Sequence, residues 1–253
     1  MKIRRLWTTG YRRYGDCFMF CAPGTHEAIA NLLQEMSGSA NWQILDMGSG
    51  SGAFLNRLSD LGFRKIRGAD INVSQNKQKK FLIEKINFNE SFSHLFTNRQ
   101  GAVVAIEVVE HLESPRHFLR EVYKIIQPGG CLVITTPNIS HWIGRFRFFL
   151  SGTLRYFGNN QYLQQRHISI IPRNHMLLML KEVGFEVQHE ITVGTFWPWY
   201  VKILFWPVCA VMGICFGKEC NGDVSIFVAK ASTPDVSSPG CNIDYVAHYR
   251  PTS

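Results

Sequence analysis

Apolar and polar positions fall into blocks that separate helices from strands along the first 140 residues. Ala28, Ile29, Leu32, Leu33 and Met36 recur at helical spacing, with Thr25 where a cap would stand. A short apolar run at 43–47 ends in Gly48-Ser49-Gly50-Ser51-Gly52, and Ala53, Phe54, Leu55, Leu58 and Leu61 then predict a helix stopping at Gly62. Residues 65–70 read as a second strand closing on Asp70, followed by a polar, lysine-rich helix through Lys85. Residues 101–106 form a buried strand leading into Glu107-Val108-Val109-Glu110-His111. An amphipathic helix over 116–126 is closed by Pro128-Gly129-Gly130, and 131–136 is again a strand. Later come a helix over 174–183 ending at Gly184 and strands at 185–193 and 224–230. Alternating strands and helices define an α/β chain with a parallel sheet and helices on both faces.

Two apolar stretches interrupt this rhythm. Residues 196–217 carry one charge, Lys202. About 20 apolar residues are enough to cross a bilayer. Pro198, Pro207, Lys202 and a place between the last two strands of one sheet instead predict an interfacial element or a lid over an acceptor pocket. Between 139 and 157, Ile139, Trp142, Ile143, Phe146, Phe149, Leu150 and Leu154 share one helical face, with His141, Arg145 and Arg155 opposite. Such a helix suits an anionic lipid surface, and an ordinary helix covering the core has the same pattern. The expected organisation is one domain over 1–230, with its core at 40–140, insertions at 139–170 and 196–217, and a mobile Ser- and Pro-rich tail at 231–253.

Composition adds constraints. The 253 residues, 45% hydrophobic and 18% charged, suit a globular fold rather than a disordered chain. A net charge of +8 points to nucleic acid, an anionic membrane or an acidic substrate. The seven cysteines lack paired metal spacing, so reduced thiols in a cytoplasmic protein are expected. The basic N-terminal arm has no apolar run behind it and does not read as a secretion signal.

In an open parallel sheet, ligands bind beyond the carboxyl ends of the strands. Gly48, Gly50 and Gly52 stand at such an exit, where glycine admits unusual backbone angles and close approach of a ligand. The next helix offers free N–H groups to a carboxylate. Asp70 is placed to accept from two ribose hydroxyls. Gly48, Gly50 and Ala53 also satisfy the dinucleotide pattern of a dehydrogenase. Asp46 discriminates: a carboxylate there suits a ligand with a positive amino-acid end and is not needed by a pyrophosphate.

Asp46-x-Gly48-x-Gly50-x-Gly52, Asp70, Glu107-Val108-x-Glu110-His111-Leu112 and Pro128-Gly129-Gly130 together resemble class I S-adenosylmethionine-dependent methyltransferases. The branch containing ubiquinone-biosynthesis O-methyltransferases and small-molecule or polysaccharide-modifying enzymes is the most similar, over residues 40–140. The resemblance implies a Rossmann-like fold with a mostly parallel seven-stranded sheet and an apolar helical insert before the last strand. It implies S-adenosylmethionine as cofactor, with Asp46, Gly48, Ser49, Gly50 and Gly52 at the methionine end, Asp70 and Ile71 at the ribose, and Glu107 nearby. Asn87 stands where the family usually has an acid for the adenine amine, with Phe88 packing near that base, and Ala102 replaces a usual Asp.

Methyl transfer to a hydroxyl gains from a general base. His111, just past the fourth strand, and His167, in the region where similar enzymes build the acceptor pocket, are the candidates. Helix-start capping or a hydrogen bond to a neighbouring loop would also explain His111, and a plain loop position would explain His167 more readily than catalysis does. Glu107, Glu110 and His111 could gather a divalent ion, but hard cations usually take more ligands, and no metal is assigned. No N-P-P-Y motif of amine methylation follows the fourth strand, which disfavours nucleic acid. The expected activity is methylation of a small-molecule or lipid-linked hydroxyl by a cytoplasmic enzyme, peripheral on the inner face of a membrane. The alternatives are a dehydrogenase, an RNA methyltransferase and a non-catalytic cofactor-binding module.

Overall fold

The strand and helix periodicities of the sequence resolve into one seven-stranded sheet and a separate small two-stranded hairpin. The computed structural model describes residues 12–36, 41–76, 80–194, 206–208, 210–212, 214, 217 and 221–232. The hairpin pairs β1 (Arg13–Tyr14) with β2 (Cys17–Phe18), and α1 (Thr25–Glu35) follows. Gly24, in the left-handed region, caps α1; the Thr25 side chain makes no cap bond and is buried as the first helical residue. Then come β3 (Ile44–Met47), α2 (Ala53–Asp60), β4 (Ile66–Asp70), β5 (Ile83–Lys85), β6 (Gln100–Ala105), α3 (Pro115–Ile125) and β7 (Ile126–Pro137). The chain continues through α4 (Trp142–Ser151), α5 (Arg173–Val183), β8 (Phe185–Val193) and β9 (Val224–Ala231).

The sheet order is β5-β4-β3-β6-β7-β9-β8. Only β9 runs against its neighbours, which matches the expected mostly parallel sheet. Period-two alternation sorts the core onto the two faces. Leu45, Val103, Leu132 and Ile134 pack with Phe118, Val122, Met176 and Leu180 of α3 and α5. Ile44, Val104, Val133 and Ile226 pack with Ile29, Leu33, Phe54 and Leu58 of α1 and α2.

Several local expectations are corrected. Among the described residues, the polar stretch after Asp70 is not a helix through Lys85: Val73–Gln75 forms a 3-10 turn and Ile83–Lys85 forms β5, where Ile83 pairs with Gly68. A run with no apolar stripe gains nothing from packing as a helix, whereas extended backbone there completes the sheet edge. Pro128-Gly129-Gly130 does not follow α3 as a stop. It forms a bulge at the start of β7, where Gln100 pairs with Ile126 but Ala102 with Cys131, and Gly129 takes φ +76°. The basic aromatic helix is shorter than 139–157, ending at Ser151 before a left-handed Gly152. β9 extends one residue beyond the expected strand, pairing Ala231 with Phe185, and Ser232 Oγ donates to the Gly184 carbonyl. The expected tail from 233 onward, and residues 196–205 of the apolar insert, lie outside the described residues.

Candidate functional site

The exit of β3 makes the centre of the site. Gly48, Gly50 and Gly52 have φ of +79°, +50° and +84°, a conformation that side-chain-bearing residues rarely adopt. The Gly48 and Ser49 amides both donate to the Ala69 carbonyl, and the Gly52 amide donates to Ser49 O. Gly50 N donates to Asp70 Oδ2 at 2.8 Å, and Asn72 N to Asp70 Oδ1 at 2.7 Å. Each Asp70 oxygen keeps a lone pair for a further donor, as two ribose hydroxyls would require. Ile71, immediately beyond, is 59% exposed.

Asp46 lies inside β3 and is 2% exposed, with no hydrogen-bond partner on Oδ2. Burial, followed by the charge of Asp70, pushes its carboxyl up to about 8. The Ser49 hydroxyl is also buried without a partner. Both residues line a cleft shared with Phe20, Cys21, His26 and Gly48. Orphaned polar groups beside a glycine turn fit a ligand carrying a cationic amine and further polar atoms. The residues therefore fit the methionine end of S-adenosylmethionine.

The N-terminal segment, which the sequence presents only as a basic arm, covers this turn. Cys17 Sγ donates to Ser51 O at 3.1 Å, Ser51 Oγ to Phe18 O at 2.7 Å, and Asn56 Nδ2 to Cys17 Sγ at 3.2 Å. The Phe20 ring lies 3.3 Å from where a Cβ on Gly50 would sit. No periodicity or motif announces these contacts, because they join a two-residue hairpin to a turn more than 30 residues away.

Asn87 and Phe88 have other partners. Asn87 Nδ2 donates to Glu90 Oε1 at 2.7 Å, and its Oδ1 accepts from the Asn89 amide at 3.2 Å, so the side chain organises a turn after β5. Phe88 is 6% exposed, with its ring edge-on to Phe92 and Phe118 at 5.6 and 5.7 Å. Its ring packs inward with those of Phe92 and Phe118, between the end of β5 and α3. The loop is fixed there by Glu121 Oε2, which accepts from the Phe92 and Ser93 amides at 2.8 Å.

Beyond β6, Glu107 takes φ +52° and is braced by Thr135, whose hydroxyl accepts from the Glu107 amide and donates to its carboxylate, both at 2.9 Å. Burial raises the Glu107 carboxyl, and burial with the charge of Glu107 raises that of Glu110. Glu110 is fully buried with neither oxygen hydrogen-bonded. His111 and His167 meet edge to face at 4.8 Å, and Phe157 packs on His167 at 5.6 Å. Nδ1 of His111 lies 3.3 Å from Arg166 O. Desolvation lowers both imidazoles; His167, further depressed by His111, falls to about 4. Both rings are therefore neutral near pH 7.

The three residues Glu110, His111 and His167 bring potential ligand atoms within 4.8 Å of one another. Glu107, named with Glu110 and His111 from the sequence, is engaged with Thr135, and His167 takes its place in the cluster. Three donors are fewer than a hard cation usually takes.

Geometry and fold agree with comparisons to known proteins. A family model described as a methyltransferase domain matches residues 19–190. The chain belongs to that family, in its class I, S-adenosylmethionine-dependent form. Its cofactor is S-adenosylmethionine. A mitochondrial ubiquinone biosynthesis O-methyltransferase from Dictyostelium discoideum is 30% identical over 112 residues, 38% of this chain and 35% of that protein. A tRNA U34 carboxymethyltransferase from Idiomarina loihiensis is 25% identical over 181 residues, 66% of this chain and 52% of that one. The chain thus spans between about a third and a half of the length of these two relatives. The solved structure of a SAM-dependent methyltransferase from Archaeoglobus fulgidus superposes with a TM-score of 0.55 at 19% identity, over 81% of this chain and 94% of that one, a likeness of fold.

Among the described residues, no helix is long and apolar enough to cross a membrane.

Proposed function

We propose that this chain methylates a hydroxyl of a small-molecule or lipid-linked acceptor, and does so while resting on an anionic membrane surface from the cytoplasmic side. Bound S-adenosylmethionine supplies a methyl group activated by a positive sulfur. Asp46 holds the amine of the methionine end and Asp70 the ribose hydroxyls. The neutral His111–His167 pair receives the proton that the acceptor hydroxyl gives up as its oxygen bonds to the methyl carbon. The cofactor bound there would give its methyl group to that oxygen and leave as S-adenosylhomocysteine, with a methyl ether as the product. Holding acceptor and methyl donor in line supplies much of the acceleration.

The observation that carries the acceptor class is α4. Of its ten residues only Gly144 is buried, while Phe146, Phe148, Phe149 and Leu150 are 50–84% exposed beside Arg145 and Arg147. A helix covering the core would bury those rings. Tyr162, Leu163, Trp206, Val211 and Ile214 add further exposed apolar side chains. Basic side chains flanking a large apolar surface match an anionic bilayer interface.

Flotation tests this reading. The protein should rise with vesicles of phosphatidylserine and phosphatidylcholine and remain below with pure phosphatidylcholine. Sedimentation regardless of lipid charge contradicts it. A tight RNA affinity with steep salt dependence would move the acceptor to nucleic acid.

A further inference from the structure

The cleft beside the glycine turn holds a polar group that neither the turn nor the sequence motifs account for. His26, in the first turn of α1, is 6% exposed, and its Nδ1 is buried without a hydrogen-bond partner. Its ring lines the same cleft as Asp46 and Ser49 and rests edge-on against Phe54 at 5.1 Å.

The methionine end of S-adenosylmethionine carries both an ammonium and a carboxylate. Asp46 can satisfy only the ammonium. A carboxylate accepts several hydrogen bonds; the free N–H groups at the start of α2 and the Ser49 hydroxyl can supply some, and the glycine turn itself has few to add. The amides of Gly48 and Ser49 are taken by Ala69 O, that of Gly50 by Asp70, and that of Gly52 by Ser49 O. A side-chain donor within the cleft meets that need.

We infer that His26 is a cofactor-binding residue whose Nδ1–H donates to the carboxylate of the methionine end, opposite the ammonium held by Asp46. The inference rests on the site reading above. Burial, with the nearby Arg57 charge, lowers the imidazole to about 3, so the ring is neutral and carries one N–H donor. A neutral donor recognises a carboxylate without placing a second cation beside the incoming ammonium. A histidine that only filled core space would be indifferent to which polar group the ligand carries.

Isothermal titration calorimetry with three ligands separates these roles: S-adenosylmethionine, its decarboxylated form, which keeps the amine, and 5′-methylthioadenosine, which lacks the amino-acid end. His26→Ala should weaken S-adenosylmethionine roughly tenfold or more, as expected for a hydrogen bond to a charged group. The same variant should leave the decarboxylated ligand and 5′-methylthioadenosine within about threefold of wild type, the spread expected of an indirect effect. Equal loss for all three ligands, or no loss for S-adenosylmethionine, overturns the inference. If His26→Ala does not fold, His26→Phe refills the ring volume against Phe54 and must show the same selective loss. Asp46→Asn is the control for the underlying site. If it binds S-adenosylmethionine normally, the site reading itself fails; if it binds weakly while the His26 variants bind normally, only the role of His26 is lost.

Discussion

The Gly50 amide donates to the Asp70 carboxylate at 2.8 Å, so the turn after β3 and the end of β4 are held as one unit. That bond fixes the carboxylate before any ligand arrives, and its second oxygen is fixed in turn by Asn72 N at 2.7 Å. A group already oriented loses little freedom on binding, which favours affinity.

The same turn leaves no room for a side chain at Gly48. A Cβ there would stand 2.4 Å from Val108 Cγ2, at a backbone φ of +79°. Gly48→Ala should cost about 2–4 kcal/mol through the steric overlap and the left-handed backbone. Urea denaturation measures it, and a loss within about 0.5 kcal/mol would show that the Val108 segment after β6 yields easily.

Asp46 predicts an unusual pH dependence. Burial pushes its folded carboxyl from the ordinary carboxylate range up to about 8, so between the two the folded state binds the extra proton. Its contribution to stability is full below the ordinary carboxylate range and is lost as pH rises towards about 8. Asp46→Asn removes the charge at constant shape. It should stabilise the ligand-free protein by about 1–3 kcal/mol at pH 8 and by little at pH 4. Thermal melts at the two pH values check this; an equal change at both would mean that Asp46 does not titrate in that window.

The proposed function gives the two histidines to the acceptor rather than to the cofactor. His111→Ala and His167→Ala should therefore each leave S-adenosylmethionine affinity within about twofold, since neither side chain would touch it. Calorimetry decides it, and a large loss in either variant would place that imidazole at the cofactor instead.

Phe149 is 84% exposed on α4. Phe149→Glu should abolish flotation with phosphatidylserine vesicles while changing stability by less than about 0.5 kcal/mol, as surface substitutions do. Flotation that survives the charge would place lipid contact elsewhere.

Most of the sheet was legible because buried parallel strands read as short apolar runs and their glycine exits as breaks. The Phe185–Val193 strand and the helix ending at Gly184 have the bounds or cap that periodicity predicts. Ile83–Lys85 was not legible: three residues at a sheet edge carry too little apolar pattern to outweigh the surrounding lysines. Asp46, the glycines and Asp70 stand out in the sequence because they fall in or just after the last residues of two short strands. The packing of Phe88 against Phe92 and Phe118 was not legible, because a sequence does not say which way an aromatic after an edge strand turns. His26 escaped notice because only the folding of α1 against the sheet brings it to the cleft that Asp46 and Ser49 also line.

Binding of S-adenosylmethionine to wild type and to Asp70→Ala, measured by calorimetry, tests the central claim most directly. Loss of the fixed carboxylate should weaken binding by roughly 100-fold or more, with the protein still folded by circular dichroism. Wild-type affinity in Asp70→Ala would contradict the placement of the cofactor across the glycine turn.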